Sequence, residues 1–229
     1  PVSSPPRTTS PEDPRPPRGE LFIVKCEDGE KAARLLVESV AKRIPSTFGL
    51  DPLRDVQVLA PMHRGGLGTR ELNAALQHAL NPPRPAAAEV ERFGTIFRVG
   101  DKVLQTRNNY DKEVFNGDIG RLAEVDDGAR QAGFDFDGRR VVYDFQELDE
   151  LELAYAISIH KSQGSEFPAV VIPLAMQHFL LLQRNLLYTA ITRGKRLVVV
   201  AGQPKAFGMA VRQNDTRQRY GGLSARLRE

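Results

Sequence analysis

The sequence predicts an α/β fold, a parallel sheet with helices on both faces, interrupted by a small antiparallel β-barrel. Three observations lead there. Apolar runs that read as strands alternate with stripes of helical period over residues 20–92, the pattern of a parallel sheet. From residue 93 to 150 the apolar runs become short and are split by turn pairs, as in an antiparallel barrel. From residue 151 the first pattern returns and continues to 212, flanked by a proline-rich start (1–19) and a basic tail (213–229).

Residues 1–19 hold seven prolines with Ser, Thr and Arg. They offer too little apolar surface to fold alone and are expected to be a linker or flexible loop. The start at Pro1, without a methionine, raises the expectation that the sequence is a piece of a longer polypeptide. Leu21–Cys26 reads as a buried strand. Ala33, Leu36, Val37, Val40, Ala41 and Ile44 make a helical stripe expected to stop before Pro45. Val56–Ala60 is a second strand, and residues 61–68 form a turn-rich loop. Thr69 is the expected cap of a helix with Leu72, Leu76, Ala79 and Leu80 on one face. The loop carries three glycines but lacks the Gly-Lys-Ser/Thr ending of a Walker A motif, so nucleotide binding by it is rejected.

After Asn81-Pro-Pro-Arg-Pro85 come the barrel strands, with turns at Asn116-Gly117, Asp127-Gly128 and Asp137-Gly138. Residues 111–152 carry thirteen acids against five bases, so most of that surface should repel DNA. The acid pair Asp149-Glu150 lacks the apolar strand that precedes a Walker B pair and is expected to be a solvated turn. A strand from Leu153 to Ile157, a strand Ala169–Leu174, a helix ending at Arg193 and a strand Leu197–Ala201 complete the sheet. Gly194 is the expected residue past the helix end, and Pro204 the start of a last helix.

Composition is that of a globular protein, with 41% hydrophobic and 27% charged residues. No apolar run is long enough to cross a membrane, and the chain is expected to be cytoplasmic and to have no membrane partner. The single Cys26 precludes an internal disulfide and suits a reducing compartment. Four histidines, at 63, 78, 160 and 178, show no zinc spacing, so no metal site of the chain's own is expected. Serine-nucleophile chemistry has no supporting motif. From Arg193 to the end, nine Lys/Arg face two acids; this is the candidate phosphate-binding charge, with a solvated tail as the plain alternative.

The densest polar chemistry lies in two pieces, Ser158-Ile-His-Lys-Ser-Gln-Gly-Ser-Glu-Phe167 and Leu187-Tyr-Thr-Ala-Ile-Thr-Arg193. In the second, Asn185, Thr189 and Arg193 fall four apart, so Arg193 ends a polar stripe of a helix. The two pieces resemble motifs V and VI of superfamily 1 helicases, in wording nearest the RecD-type branch (SF1B). The resemblance implies the second RecA-like motor domain of an ATP-dependent DNA helicase, with an inserted SH3-like barrel. It places Gln163, Gly164 and Glu166 at ATP, Ser158, His160, Lys161 and Ser162 at DNA, and gives Arg193 the role of an arginine finger. Gln163 stands where many relatives have Lys. The strand, Ala60-Pro-Met-His-Arg-Gly65, helix order is similar to the segment around motif IV, which puts His63 and Arg64, with the N–H groups of the helix start, at a DNA phosphate. The plain alternative is a turn with solvated charges.

Val99-Gly-Asp-Lys-Val103 and Asn116-Gly-Asp-Ile-Gly120 resemble the barrel inserted in RecD-type helicases before motif V. If that barrel touches a strand, Lys102, Arg107, Asn108, Asn109 and Tyr110 are the candidates; a spacer or protein contact is the alternative. The resemblance further implies ATP with Mg²⁺, single-stranded DNA, 5′ to 3′ movement in repair or recombination, and a preceding RecA-like domain of the same polypeptide. That domain would supply the Walker motifs and Mg²⁺ ligands, without which this piece should be inactive. Two other readings stand beside it: a non-enzymatic nucleic-acid or protein-binding module, and the motor half of a conjugative relaxase or Pif-type helicase.

Overall fold

A computed structural model describes residues 19–85 and 88–213. The proline-rich start up to residue 18 and the basic tail from 214 lie outside the described residues. The α/β part is built on a five-stranded sheet with the order β1 (Glu20–Lys25), β12 (Gly194–Gly202), β11 (Phe167–Leu174), β2 (Val56–Ala60), β10 (Ala156–Ser158). Every pairing is parallel. Alternate side chains of the central strands feed two cores. Val56, Val58, Ala169, Val171, Leu197 and Val199 pack under α1 (Gly29–Glu38) and α3 (Thr69–Leu80). Leu59, Val170, Ile172, Val198 and Val200 pack under α4 (Arg184–Ile191) and α5 (Pro204–Arg212). Helices therefore cover both faces, as the alternating pattern predicts.

Several elements depart from the sequence expectation. β1 is not buried: it is the sheet edge, with Leu21, Phe22 and Ile23 each about half exposed. The first helix does not stop before Pro45. It passes through a π-helical turn, Ser39–Arg43, into α2 (Ile44–Phe48), which carries the proline in its first turn and ends at Gly49 with φ 65°. Proline lacks only the N–H that a helix start leaves unused, so the turn of different hydrogen-bond spacing lets the chain continue. Ahead of α3 the cap is Gly68, not Thr69, and Ala79 is exposed. The long helix expected before Arg193 is split into a 3₁₀ turn, Met176–Leu181, and α4. The expected strand Leu153–Ile157 is divided between β9 (Leu151–Leu153), which joins the antiparallel sheet, and β10.

The insertion is a five-stranded antiparallel sheet in the order β8 (Arg139–Asp144), β7 (Gln131–Phe136), β6 (Ile119–Asp126), β5 (Lys102–Gln105), β9. A hairpin of β3 (Glu89–Arg92) and β4 (Thr95–Arg98) adds Val90 and Phe97 to the same core, around Phe134, Phe136 and Tyr143. The Asp137-Gly138 turn behaves as its sequence predicts, with φ 52° and 84°, the two positive values a two-residue turn of this kind needs. The β3–β4 turn uses Phe93-Gly94 with φ 49° and 73°, a pair that carries no turn signal, which is why the hairpin is not legible in the sequence. Insertion and motor sheet are joined through Asp101. Its buried carboxylate accepts from Gln77 and Asn81 of the α3 region, the Arg98 N–H and the Tyr155 hydroxyl, at 2.5–2.8 Å.

Candidate functional site

The parallel register sorts the candidate residues onto two edges of one sheet. At the carboxyl edge, Ser158 of β10 stands beside Ala60 of β2, and the loops that follow both strands open together. In the first loop a Cβ on Gly68 would lie 2.6 Å from the His63 carbonyl oxygen and the Arg64 carbonyl carbon, so only glycine lets the chain fold back into α3. The helix-start N–H groups of Thr69 and Arg70 donate to the carbonyls of Met62 and His63. They are not open to a DNA phosphate, contrary to the sequence expectation. His63 and Arg64 remain exposed, the imidazole Nδ1 lying 3.0 Å from Thr69 Oγ1.

The loop after β10 is a compact turn. Ser162 Oγ donates to the Ile159 carbonyl at 2.7 Å, Ser158 Oγ accepts the Lys161 N–H at 3.3 Å, and both serines are buried. These hydroxyls shape the turn rather than face outward. Lys161 pairs with Glu152 of β9 at 2.9 Å, while His160 and Gln163 are exposed. Gly164, at φ +88°, turns the chain toward the opposite edge.

A third loop reaches the carboxyl edge without being singled out in the sequence. Gln177, just after β11, lies against Gly65: a Cβ there would be 3.3 Å from its amide nitrogen. The neighbouring His178 is buried, and burial lowers its pKa to about 4. Between its ordinary 6.5 and that value, the unfolded chain binds a proton that the folded chain does not. The stability His178 contributes is thus complete above pH 6.5 and is lost as pH falls toward 4. The expected outcome is a thermal midpoint that drops more steeply between pH 7 and 5 in the native chain than in His178→Gln.

At the amino edge, Phe167 opens β11 and Gly194 opens β12 as register partners. Arg193 is clamped there. Its Nη1 donates to the Ser165 carbonyl at 3.1 Å, its Nε to the Thr189 carbonyl at 3.2 Å, and its own carbonyl accepts the Phe167 N–H at 2.8 Å. Loop end and helix end are thereby one unit. Gly194 is not the left-handed residue the sequence leads one to expect. It is the first strand residue, and a Cβ on it would meet Val198 at 2.5 Å, so close packing rather than a turn requires glycine. Glu166 pairs with Lys195 at 2.9 Å. That lysine, and then Arg193, holds its carboxyl below the usual range. Lys195 was not singled out in the sequence, although it follows Arg193-Gly194 directly.

The barrel candidates do not join either set. Arg107 pairs with Asp149 at 3.2 Å, Asn109 donates to Glu150 at 3.1 Å, and Asn108 accepts the Asn116 N–H and donates to the Tyr110 hydroxyl. They brace the loop after β5. Lys102 is buried, donating to the Val56 carbonyl at 3.4 Å, and is not on an exposed strand-binding face. Among the described residues no cluster of His, Cys, Asp and Glu could hold a metal ion, and no helix is long and apolar enough to cross a membrane.

Comparison with known proteins places these features in a family. A family model for the ATP-dependent RecD-like DNA helicase SH3 domain matches residues 72–136, and one for the UvrD-like helicase C-terminal domain matches 153–201. The chain is 41% identical over 163 residues to an ATP-dependent RecD2 DNA helicase of Deinococcus radiodurans, covering 71% of this chain and 22% of that protein. It is 32% identical over 183 residues to the RecBCD enzyme subunit RecD of Mycolicibacterium smegmatis, covering 78% of this chain and 30% of that protein. A crystal structure of a Pif1 helicase from Candida albicans is a distant likeness, at 16% identity and TM-score 0.47 over 86% of this chain and 58% of that one. The chain thus spans less than a third of the length of these sequence relatives. With an SH3-like barrel of the RecD-like kind followed by the UvrD-like C-terminal domain, the protein belongs to the RecD-type superfamily 1 DNA helicases and corresponds to their C-terminal portion.

Proposed function

We propose that the chain is the second half of an ATP-driven motor that moves on single-stranded DNA, 5′ to 3′, and unwinds duplex in repair or recombination. The observation that carries this is the clamped Arg193. Its guanidinium is fixed by two backbone carbonyls, with no carboxylate partner among the described residues. A rigidly held guanidinium with no carboxylate in direct contact suits charge developing on a transferred phosphoryl group. ATP fits this edge: Arg193 and Lys195 can face phosphates, and the Glu166 carboxylate can accept from a ribose hydroxyl. Gly164 and Gln163 lie on the path between the two edges. The Walker motifs and Mg²⁺ ligands are assigned to a preceding RecA-like domain of the same polypeptide. When bound, ATP with Mg²⁺ would supply the phosphoryl group whose developing charge Arg193 meets, and its binding between the two domains would draw them together.

On the opposite edge, His63, Arg64 and His160 are the exposed groups that suit a DNA backbone. Ser158, Ser162 and Lys161 set the shape of the turn that presents His160. Arg107, Asn108 and Asn109 are assigned no more than a secondary contact, since each is engaged within the barrel. The two edges belong to one sheet, so nucleotide-dependent motion at one reaches the other through β10 and the loop 159–166. In the full-length polypeptide, Arg64→Ala is expected to weaken single-stranded DNA binding about equally for all sequences. It should also reduce the slope of log affinity against log salt by about 1. An unchanged salt slope in a fluorescence-anisotropy titration would remove Arg64 from the strand path.

A further inference from the structure

Barrel and motor sheet enclose a cleft of about 980 Å³, walled by β6 and the β7–β8 turn on one side and by Arg54, Ser165, Glu166 and Phe167 on the other. Lys102 lines it and is only 7% exposed. An ammonium carries three donors, yet Lys102 Nζ has a single long bond, 3.4 Å to the Val56 carbonyl, and no ion pair among the described residues. Directly across the β5–β6 ladder stands Arg121, and like charges in that position repel. On its other side, across the β6–β7 ladder, Arg121 has Asp135, yet the two make no ion pair, whereas the other two cations of the cleft are paired: Arg54 with Asp55, and Arg139 with Glu113. Burial first, and then Arg121, lowers the Lys102 pKa to about 8 against the smaller opposing pull of Asp51 and Asp55, so the side chain still carries its proton at neutral pH. A buried, charged lysine beside a second cation, neither in an ion pair among the described residues and both on the barrel wall of an open cleft, is an arrangement that can take an anion.

We propose that Lys102 and Arg121 together hold one phosphate group in this cleft, that of inorganic phosphate or of a nucleotide. A polyanionic strand is disfavoured, because Asp118, Asp135, Asp137 and Glu166 line the same cleft and would repel its successive phosphates. The cleft shares Glu166 with the proposed ATP edge, but neither Lys102 nor Arg121 belongs to that edge, and the test needs neither ATP hydrolysis nor unwinding. The thermal midpoint of the chain is measured with phosphate, with ADP, with a single-stranded oligonucleotide, and with chloride at matched ionic strength. Phosphate should raise it by about 3 °C over chloride. Lys102→Met should abolish that rise while raising the midpoint in chloride, since it replaces a buried charge with an apolar side chain of similar length. Arg121→Gln, at an exposed position of β6, should abolish the rise and leave the midpoint in chloride within about 1 °C.

An ADP rise larger than that of phosphate, with the excess lost in Lys102→Met, assigns the group to a nucleotide; equal rises assign inorganic phosphate. The site is refuted by a phosphate rise that both variants keep, by no rise over chloride, or by a fall in the chloride midpoint of Lys102→Met. A rise given by the oligonucleotide but by neither phosphate nor ADP also refutes it.

Discussion

Arg193→Ala in the full-length polypeptide is expected to lower DNA-stimulated ATP hydrolysis by about 10³-fold or more, with nucleotide-free affinity for single-stranded DNA retained. The asymmetry follows from placement. Arg193 sits at the amino edge of β11 and β12, whereas His63, Arg64 and His160 sit at the carboxyl edge beyond β2 and β10. Arg193→Lys is expected to rescue little. An ammonium is a point donor on a flexible stem, while the guanidinium keeps two nitrogens on the Thr189 and Ser165 carbonyls and still presents its remaining edge. Steady-state hydrolysis with saturating DNA measures the effect. A hydrolysis rate within threefold of the native value would take the finger role from Arg193.

Asp101→Ala is expected to cost about 3–5 kcal/mol, because removing one member of a buried charged network leaves its partners unpaired. The side chains of Gln77, Asn81 and Tyr155 and the N–H of Arg98 all point at this carboxylate, which is fully buried. Burial and the adjacent carboxylate raise the Tyr155 pKa well above its ordinary value, so the phenol donates at every accessible pH and cannot adapt by ionising. The expected fall in thermal midpoint is about 10 °C. Asp101→Asn should fall between, since its amide keeps one acceptor but turns a donor toward other donors. A midpoint unchanged in Asp101→Ala would mean that the four partners find water.

The parallel sheet and the inserted barrel were legible because period is written along the chain. Val170, Val171 and Ile172 announce a buried strand, and Asp137-Gly138 a hairpin. Motif residues were legible by type, but not by exposure. Ser158 and Ser162 read as polar loop residues, yet their hydroxyls are consumed inside the turn, a fact that depends on which carbonyls the backbone brings near. Asp101 and Lys102 read as one more Gly-Asp-Lys turn. Their burial arises from contacts with residues 20 to 54 positions away, such as Val56, Gln77, Asn81 and Tyr155, and no local pattern encodes that. β1 failed differently: an edge strand and a central strand share the same apolar run, and only the sheet order separates them.

The most direct test of the half-motor is the affinity for single-stranded DNA measured with and without a non-hydrolysable ATP analogue, for this chain alone and for the full-length polypeptide. The half-motor predicts that the chain alone ignores the nucleotide and hydrolyses none. The full-length form should change its affinity on binding the analogue, hydrolyse ATP, and lose hydrolysis on Arg193→Ala. A full-length form without ATPase activity, binding DNA equally with and without nucleotide, would contradict it and leave a binding module on a motor-like scaffold.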